Sequence, residues 1–475
     1  MAKKNDLLEP EQLREALGIS EATYYRWLRE GRLKGVKVGR RWRFPKTLLD
    51  DLREDPERAH EREQALKHAV ETCADLLARA KVKPKEVAAM LETANSDAEA
   101  VAGMLIRHAL QRHAAELHLE PTADGLSIRE RVDGILRPLD QPLPRGAQEE
   151  VVAAFKRMAG FDLTVTGLPQ DARFFHEHEG RKVNLFCTSF PTALGEALTL
   201  RILDPAAVTL SFGKSGFSKR LQTAVRTAIQ PASGVFIING PTGSGKTTTA
   251  YSLLSELNRP GVKVMTIEDP VEFLIDGVLQ APLRAPLTIS SAMKVMLRSS
   301  MDIGYVCELR DAETIKLLFQ MGATGHKMIS CMHAPDAAGA LGRVLDAAGL
   351  PNQLIAENLL GILNQRLVPM SCPHCRRLEP MSKADARRLG VEPFKVAVNK
   401  GCDECGGTGV KGRTAVGELL TVTPGLRKAL LGGVKDPEEL RKAMPANWPD
   451  LRSDLLERLK AGDFHVEHAI AVLNL

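Results

Sequence analysis

Residues 234–254, GVFIINGPTGSGKTTTAYSLL, combine an apolar strand, a glycine-rich loop and the start of a helix. Gly240, Gly245, Lys246 and Thr247 occupy the spacing GxxxxGK[ST]. In such a loop the backbone N–H groups turn inward around phosphate oxygens, the lysine reaches the β- and γ-phosphates, and the threonine hydroxyl can bind Mg²⁺. The sequence therefore predicts a phosphate-binding loop formed by Gly240, Pro241, Thr242, Gly243, Ser244, Gly245, Lys246, Thr247 and Thr248.

Short apolar segments recur after this loop and are separated by segments with helical periodicity. They are VKVMTIED at residues 262–269, IGYVCEL at 303–309 and HKMISCMH at 326–333. Apolar strands that alternate with helices indicate a parallel sheet covered by helices on both faces. The predicted fold class is therefore α/β.

Acidic residues follow strands of this predicted sheet. Glu268 and Asp269 end the first of the three segments, and Glu308 lies near the end of the second. The carboxyl ends of parallel strands meet at the edge where ligands bind, and a carboxylate there can orient water toward a phosphate. Glu268 and Glu308 are the predicted catalytic acids. The alternatives are a structural turn acid for Glu268 and a salt-bridged acid beside Arg310 for Glu308.

The overall composition is that of an ordinary globular protein. The chain has 475 residues, of which 44% are hydrophobic and 26% are charged. This length favours several domains, and no segment resembles a signal peptide or is apolar enough to span a bilayer. We therefore expect a soluble, cytoplasmic protein.

Four of the eight cysteines form two CxxC pairs, CPHC and CDEC. Four thiolates suit tetrahedral Zn²⁺, and a closed shell of four sulfurs indicates a structural rather than a catalytic metal. A disulfide or redox role is the alternative, which a cytosolic protein disfavours. The predicted zinc ligands are Cys372, Cys375, Cys402 and Cys405.

The N-terminal region carries a concentrated positive charge. Residues 26–46 contain nine Lys or Arg and one acid, whereas the whole chain has a formal charge of only +5. Helical periodicity in residues 10–30 is followed by the basic segment GVKVGRRWRFP at residues 35–45. Such a stripe on an otherwise balanced chain indicates one small docking surface.

Several motifs, in order along the chain, resemble the type II secretion and type IV pilus assembly ATPases from about residue 97 to residue 475. They are AAELHLEP (114–121), PQDAR (169–173), PTALGEALTLRIL (191–203), GPTGSGKTTT (240–249), TIEDPVE (266–272), CELRDAET (307–314) and TGHKMISCMHAPDAAGA (324–340). Their joint occurrence is more specific than any one of them. The resemblance includes the tetracysteine insert.

The resemblance implies a fold and a mechanism. The fold is a RecA-like P-loop ATPase core with a smaller α/β N-terminal domain, a zinc-binding insert and a helical C-terminal region. Glu308 would polarise water, and His326 and His333 would lie near the γ-phosphate, although either histidine could instead be a strand-end packing residue. Arg173 and Arg201 match arginines that compensate phosphoryl charge.

The resemblance also implies partners and a location. ATP and Mg²⁺ are the expected ligands, and a hexamer is the expected assembly. The expected partner is an inner-membrane platform protein, which would place the chain peripherally at the inner face of that membrane. The predicted domain boundaries are 1–54, 55–95 (a helical linker, with a solvated spacer as the main interpretation and a separate helical hairpin as the alternative), 96–205, 206–371, 372–412 and 413–475.

Four positions depart from the family pattern. Phe186 occupies a site where an arginine is expected, Cys307 replaces a glycine, and Ala334 and Pro335 replace a Thr-Asn pair. Because such an arginine can contribute about 10³ to 10⁵ in rate, its absence predicts slow turnover. The main hypothesis is an active ATPase, and the alternative is a nucleotide-binding scaffold with weak turnover.

Residues 7–53 resemble the winged helix-turn-helix modules of excisionase and MerR-type regulators. In that interpretation EATYYRWLREG is the recognition helix and the basic ribbon is a wing that touches phosphates. A grip on an acidic protein partner and a solvated basic face are the alternatives. The candidate DNA contacts are Tyr24, Tyr25, Arg26, Arg29, Arg40, Arg41 and Arg43.

These observations favour an ATP-hydrolysing motor of a secretion or pilus-like assembly system. A DNA-associated ATPase or regulator is the alternative, in which the winged module selects the site.

Overall fold

The computed structural model describes residues 7–17, 19–29, 33, 35–38, 41–45, 56–94, 97–139, 141–165, 167–204, 211–347 and 349–473. The chain divides into two compact units. The first comprises Met1–Glu130, Leu136–His178 and Leu185–Arg201, and the second comprises Arg131–Ile135, Glu179–Asn184 and Ile202–Leu475.

The N-terminal module contains two helices and a small sheet. Its elements are β1 (Leu7–Leu8), α1 (Pro10–Leu17), α2 (Glu21–Arg29), β2 (Val36–Val38) and β3 (Arg41–Pro45), with the strand order β1-β3-β2. The Ser20 hydroxyl accepts a hydrogen bond from the Thr23 amide at 3.2 Å and caps α2. The core of the module contains Leu13, Tyr24, Leu33 and Phe44.

Residues 56–94 form two helices, α3 (Pro56–Arg79) and α4 (Pro84–Ala94). The helical part of the linker prediction agrees with the structure, but the solvated-spacer interpretation does not. Ala69 and Leu77 on α3 are fully buried, and α3 packs against α5 (Ala98–Gln111). Small apolar residues spaced along a charged sequence are enough to dock this helix on its neighbour.

Seven strands that form one sheet follow α5. They are β4 (Glu116–Pro121), β5 (Gly125–Val132), β6 (Ile135–Pro138), β7 (Leu143–Pro144), β8 (Gln170–His178), β9 (Arg181–Thr192) and β10 (Gly195–Leu203). The sheet order is β6-β5-β4-β10-β9-β8, with β7 paired to β5. Helix α6 (Gln148–Ala159) lies between β7 and β8 in the chain.

The second unit is built on a seven-stranded sheet. Its strands are β11 (Gly234–Asn239), β12 (Val264–Glu268), β13 (Val278–Pro282), β14 (Ile303–Val306), β15 (Lys327–Met332), β16 (Leu359–Ser371) and β19 (Val410–Leu420). The order is β13-β12-β14-β15-β11-β16-β19, and all neighbours are parallel except β16 and β19. The α/β prediction is confirmed.

Helices cover this sheet. They are α7 (Lys219–Ala228), α8 (Lys246–Leu257), α9 (Ile289–Met296), α10 (Ala312–Ala323), α11 (Ala337–Ala347) and α12 (Asn352–Asn358). Strand β11 is fully buried between β15 and β16, so the loop that follows it emerges from the centre of the sheet.

The cysteine-containing insert leaves β16 and returns to the neighbouring strand β19. It holds β17 (Arg376–Pro380), α13 (Lys383–Leu389) and β18 (Lys395–Asn399). The region predicted as helical from residue 413 begins as a strand, because the apolar run in β19 pairs with β16 as far as Leu420. Its helices are α14 (Pro424–Leu431), α15 (Pro437–Lys442), α16 (Leu451–Lys460) and α17 (Val466–Leu473).

Among the described residues, no helix has both the length and the apolar character needed to cross a membrane.

Candidate active site

The glycine-rich loop between β11 and α8 has the geometry of a phosphate cradle. Gly240 has φ +151°, and a Cβ atom there would lie 2.5 Å from the backbone oxygen of Gln365. Gly245 has φ +84° immediately before α8, which begins at Lys246. Both positions require glycine, and the loop leads directly into a helix N-terminus, where the partial positive charge favours an anion.

Lys246 turns back toward its own loop. Its Nζ donates hydrogen bonds to the carbonyl oxygens of Gly240 and Pro241, each at 2.9 Å, and lies 3.4 Å from His333 Nδ1. Burial lowers the pKa of Lys246 from its usual value. The lysine is therefore held at the strand ends, where the predicted phosphates would bind.

Glu308 and His333 meet beside this lysine. His333 Nε2 lies 3.1 Å from Glu308 Oε1, and Arg310 Nε donates to Glu308 Oε2 at 2.8 Å. Glu308 is only partly buried, so its carboxylate remains accessible to water. The parallel sheet brings the three side chains together because the ends of β11, β14 and β15 lie at one edge.

Glu268 does not join this group. Its side chain is 1% exposed, and its carboxylate accepts hydrogen bonds from the Tyr251 hydroxyl, from Thr266 Oγ1 at 2.5 Å and from Gln280 Nε2 at 3.0 Å. The prediction of a catalytic Glu268 is corrected: this acid organises a buried polar cluster. The turn that follows β12 instead exposes Asp269, whose Oδ2 lies 3.6 Å from Arg310.

His326 lies at the opposite edge of the sheet from His333. It precedes β15, its backbone oxygen accepts a hydrogen bond from the Gly234 amide at the start of β11, and its Nδ1 lies 3.1 Å from the Met321 oxygen. The six-residue strand separates the two histidines by about 20 Å. The placement of His326 at the γ-phosphate of its own chain is therefore wrong.

Arg173 and Arg201 belong to the first unit. The Arg173 guanidinium lies 5.3 Å from the ring centroid of Phe186 and 5.5 Å from that of Phe175. Phe186, which stands where the family resemblance expects an arginine, thus makes a cation–π contact with a neighbouring arginine. The roles of Arg173 and Arg201 toward nucleotide remain predictions.

A group of polar residues behind the loop was not predicted from the sequence. Gln365 Nε2 donates to the Ser244 oxygen at 2.7 Å and fixes the loop from β16. The Ser244 hydroxyl is buried and has no hydrogen-bond partner among the described residues. The available signal was the polar run Asn364-Gln365-Arg366 inside an otherwise apolar strand.

The four cysteines of the insert form a compact cluster. All four Sγ atoms lie within 4.8 Å of one another, and the separations Cys372–Cys402, Cys375–Cys405 and Cys402–Cys405 are 3.8, 4.0 and 3.7 Å. A tetrahedral site with Zn–S bonds of about 2.3 Å has edges of about 3.8 Å. The residues therefore fit a tetrahedral zinc ion.

Backbone amides add to this fit at one ligand. The amides of Cys402 and Gly409 donate to Cys405 Sγ at 3.2 and 3.1 Å. Although burial acts to raise it, these hydrogen bonds hold the pKa of Cys405 near 6. That value favours the thiolate that a metal requires.

We expect a Cys405→Ser variant to lose zinc and to melt at a lower temperature. The reason is that metal binding to four thiolates contributes several kcal/mol to folding, and about 1 kcal/mol corresponds to about 2–4 °C in a large domain. Zinc content by mass spectrometry and melting by calorimetry provide the measurement. Cys73→Ala, which removes a buried thiol from α3, should retain zinc, and a zinc-free wild type would contradict the assignment.

The structure separates the candidate contacts of the N-terminal module. Tyr24 is 4% exposed and packs edge-on against Phe44, so its assignment as a DNA contact is corrected to a core role. Tyr25, Arg26 and Arg29 lie on the exposed face of α2. Arg43 pairs with Glu9. Arg40 and the side chain of Arg41 lie outside the described residues.

Two parts of the chain match families of known proteins. Residues 93–471 match the family model described as type II/IV secretion system protein, and residues 7–55 match a helix-turn-helix domain. Over 405 residues the chain is 31% identical to the putative type II secretion system protein E of Escherichia coli K12, covering 84% of this chain and 82% of that protein.

Two further relatives are similar in sequence. The type II secretion system ATPase E of Vibrio cholerae is 34% identical, with 78% of this chain and 74% of that protein covered. The type IV pilus assembly ATPase PilB of Thermus thermophilus is 35% identical and matches 82% of this chain. The chain spans only 44% of the length of that PilB.

Solved structures resemble the chain in fold. The ATPase DotB of Legionella pneumophila has a TM-score of 0.60 at 20% identity, covering 78% of this chain and 94% of DotB. The pilus retraction motor PilT with bound ADP has a TM-score of 0.53 at 22% identity, covering 78% of this chain and 96% of PilT.

Proposed function

The chain belongs to the type II/IV secretion system protein family, and we propose that it is an ATP-hydrolysing motor of a secretion or pilus-like assembly system. The observation that carries the proposal is the meeting of Lys246, His333 and Glu308 at the carboxyl edge of one parallel sheet. The parallel sheet that carries these residues supports the RecA-like core that the resemblance implies.

The catalytic roles follow from the geometry. Lys246 binds the phosphates of ATP, and Glu308 orients the water that attacks the terminal phosphorus and receives its proton. His333, between these two residues, contacts the transferring phosphoryl group. Thr247, at the start of α8, would hold Mg²⁺, which would neutralise charge on the phosphate oxygens.

Two arginines also have a proposed role toward the nucleotide. Arg173 and Arg201 compensate phosphoryl charge, as the family resemblance implies. Because Phe186 provides no third arginine, turnover is slow. A hexamer docked on an inner-membrane platform protein, peripheral to the cytoplasmic face of the membrane, is the assembly that fits this family. Structural Zn²⁺ in the cysteine insert stabilises the second unit.

Phosphate release from ATP tests the motor directly. The purified full chain should release phosphate with Mg²⁺ and not with EDTA, at protein concentrations that span oligomer formation. The same assay with duplex DNA distinguishes a motor, which DNA leaves unchanged, from the alternative of a DNA-dependent ATPase. No magnesium-dependent release under any of these conditions would contradict the proposed activity.

DNA is the proposed ligand of the N-terminal module, whose residues match a helix-turn-helix domain. We expect the double variant Arg26→Ala, Arg29→Ala to bind duplex DNA more weakly and to show a salt slope smaller by about two units, because each phosphate contact contributes about 0.9. Fluorescence anisotropy across a salt series gives both quantities.

The matched control for this measurement changes two arginines elsewhere. Arg387 and Arg388 are exposed on α13, and replacing both by alanine should leave the slope unchanged. A wild type that binds no DNA would contradict this proposal and would leave two alternatives for the basic wing with Arg40, Arg41 and Arg43: a grip on an acidic protein partner or a solvated basic face.

A further inference from the structure

The loop of residues 334–337, here called the His333 loop, is held by buried side chains from three other strands. Asn239 comes from β11, Arg366 from β16 and Glu418 from β19. The hydrogen bonds run from Asn239 Nδ2 to the oxygens of Ala334 and Asp336 at 3.2 and 3.0 Å, from Arg366 Nη2 to the Pro335 oxygen at 2.6 Å, and from the Ala337 amide to Glu418 Oε1 at 2.7 Å.

Asn364 joins these three side chains into one network. Its Oδ1 accepts hydrogen bonds from Asn239 Nδ2 at 3.1 Å and from Arg366 Nη1 at 2.8 Å, and its Nδ2 donates to Glu418 Oε1 at 3.0 Å. Asn239 and Asn364 are fully buried, and Arg366 and Glu418 are 6% and 5% exposed. The network therefore holds the loop from the dry interior of the sheet.

Stability alone is a poor explanation for two buried charges. Desolvation opposes both of them: burial lowers the pKa of Arg366 and raises that of Glu418. Well-packed apolar residues would give comparable stability at these positions, whereas polar groups fix a specific arrangement. What this arrangement fixes is the backbone that follows His333.

Of the four side chains in the His333 loop only that of Asp336 is polar, and it accepts a hydrogen bond from the Gly339 amide at 2.8 Å. Ala334 and Pro335 stand where the family resemblance expects Thr and Asn, so two polar side chains are replaced by apolar ones. The direction of the His333 ring, 3.4 Å from Lys246 and 3.1 Å from Glu308, therefore depends on how the following backbone is anchored.

We propose that Arg366, with Asn364 and Glu418, is a positioning residue that aims His333 between Lys246 and Glu308 and so sets the rate of ATP hydrolysis. This inference rests on the proposed ATPase function. Arg366 touches neither the phosphate loop lysine nor the catalytic acid; it acts through the Pro335 carbonyl.

The test is a double-mutant cycle on the full chain. Lysine at position 366 keeps the charge but loses the planar fork that bonds Asn364 and Pro335 together. We expect Arg366→Lys to lower kcat by about ten- to a hundredfold, as small misplacements do, and to change the affinity for a fluorescent ADP analogue less than twofold. In a His333→Ala background the same change should lower kcat less than twofold.

The matched control is Arg427→Lys. Arg427 also donates to a backbone oxygen, that of Ala356, but lies on α14, outside the network. It should leave kcat unchanged in both backgrounds. Effects of Arg366→Lys and His333→Ala that multiply, or a loss of nucleotide affinity as large as the loss in kcat, would overturn the positioning role.

Hydrogen exchange separates failure of this inference from failure of the ATPase proposal. We expect faster exchange at the amides of Ala334, Asp336 and Ala337 in Arg366→Lys and no change in Arg427→Lys, whether or not the chain hydrolyses ATP. Unchanged exchange in the His333 loop of Arg366→Lys would overturn the inference in an active or an inactive protein.

Discussion

Replacing Lys246 by alanine should abolish ATP hydrolysis, with a loss of about a thousandfold or more. The Nζ atom lies at the junction of the phosphate loop and His333, and it carries the positive charge that the loop brings to the terminal phosphates. A preorganised donor of this kind in a partly buried site contributes more than a surface charge does, because water does not screen it. Nucleotide affinity should fall as well, since the ground state uses the same contact.

Steady-state phosphate release and binding of a fluorescent ATP analogue measure the two effects. Lys294→Ala is the matched control, because Lys294 is half-exposed on α9 and pairs with Glu313 on the surface. Its turnover should stay within twofold of the wild type. Phosphate release that persists in Lys246→Ala at the wild-type rate would assign the hydrolysis to a contaminant or to another site.

Glu308→Gln should separate binding from chemistry. The amide keeps the size of the side chain and can still contact His333 and Arg310, but it cannot take a proton from water. General-base catalysis typically contributes about 10²–10⁴ in rate, so kcat should fall by that factor while the affinity for nucleotide stays within a few fold. The variant should therefore accumulate bound ATP.

Glu313, the surface partner of Lys294, provides the control for Glu308. Glu313→Gln removes an exposed carboxylate from the first turn of α10 in the same unit and should leave kcat within twofold. Retained ATP in a filter-binding or single-turnover experiment identifies the trapped state. A Glu308→Gln variant that hydrolyses ATP at the wild-type rate would contradict the role of Glu308, and Asp269 would then become the acid to test.

The sequence predicted the convergence of Lys246 and Glu308 for a physical reason, whereas the place of His333 was implied by the family resemblance. Parallel strands place their carboxyl ends at one edge, so residues that follow different strands become neighbours whatever their separation along the chain. The four cysteines were also predictable, because two CxxC pairs indicate a metal site whatever fold surrounds them. The α/β class followed from the alternation of short apolar strands with helical segments.

The same logic explains the failures. His326 and His333 belong to one short motif, but the strand between them carries them to opposite edges. Glu268 follows the rule for strand ends, yet Tyr251 and Gln280 approach it from distant segments and bury it. Tyr24 lies beside exposed residues on α2, and only the helical period turns it inward.

The network behind the His333 loop could not be predicted from the sequence for a related reason. Asn364 and Arg366 look like polar interruptions in an apolar strand until their partners from β11 and β19 are known. Such residues act as pairs between neighbouring strands, and a single sequence does not show which residue pairs with which.

The position of the insert between β16 and β19 determines which changes of length the sheet tolerates. Ser371 and Val410, where the insert begins and ends, are register partners on neighbouring strands, and Asn364 and Glu418 are register partners farther along the same ladder. To the sheet, residues 372–409 take the place of a hairpin turn. Insertions and deletions between the cysteines leave the pairing of Asn364 with Glu418 in register, so the length of this segment can change without moving the residues that hold the His333 loop.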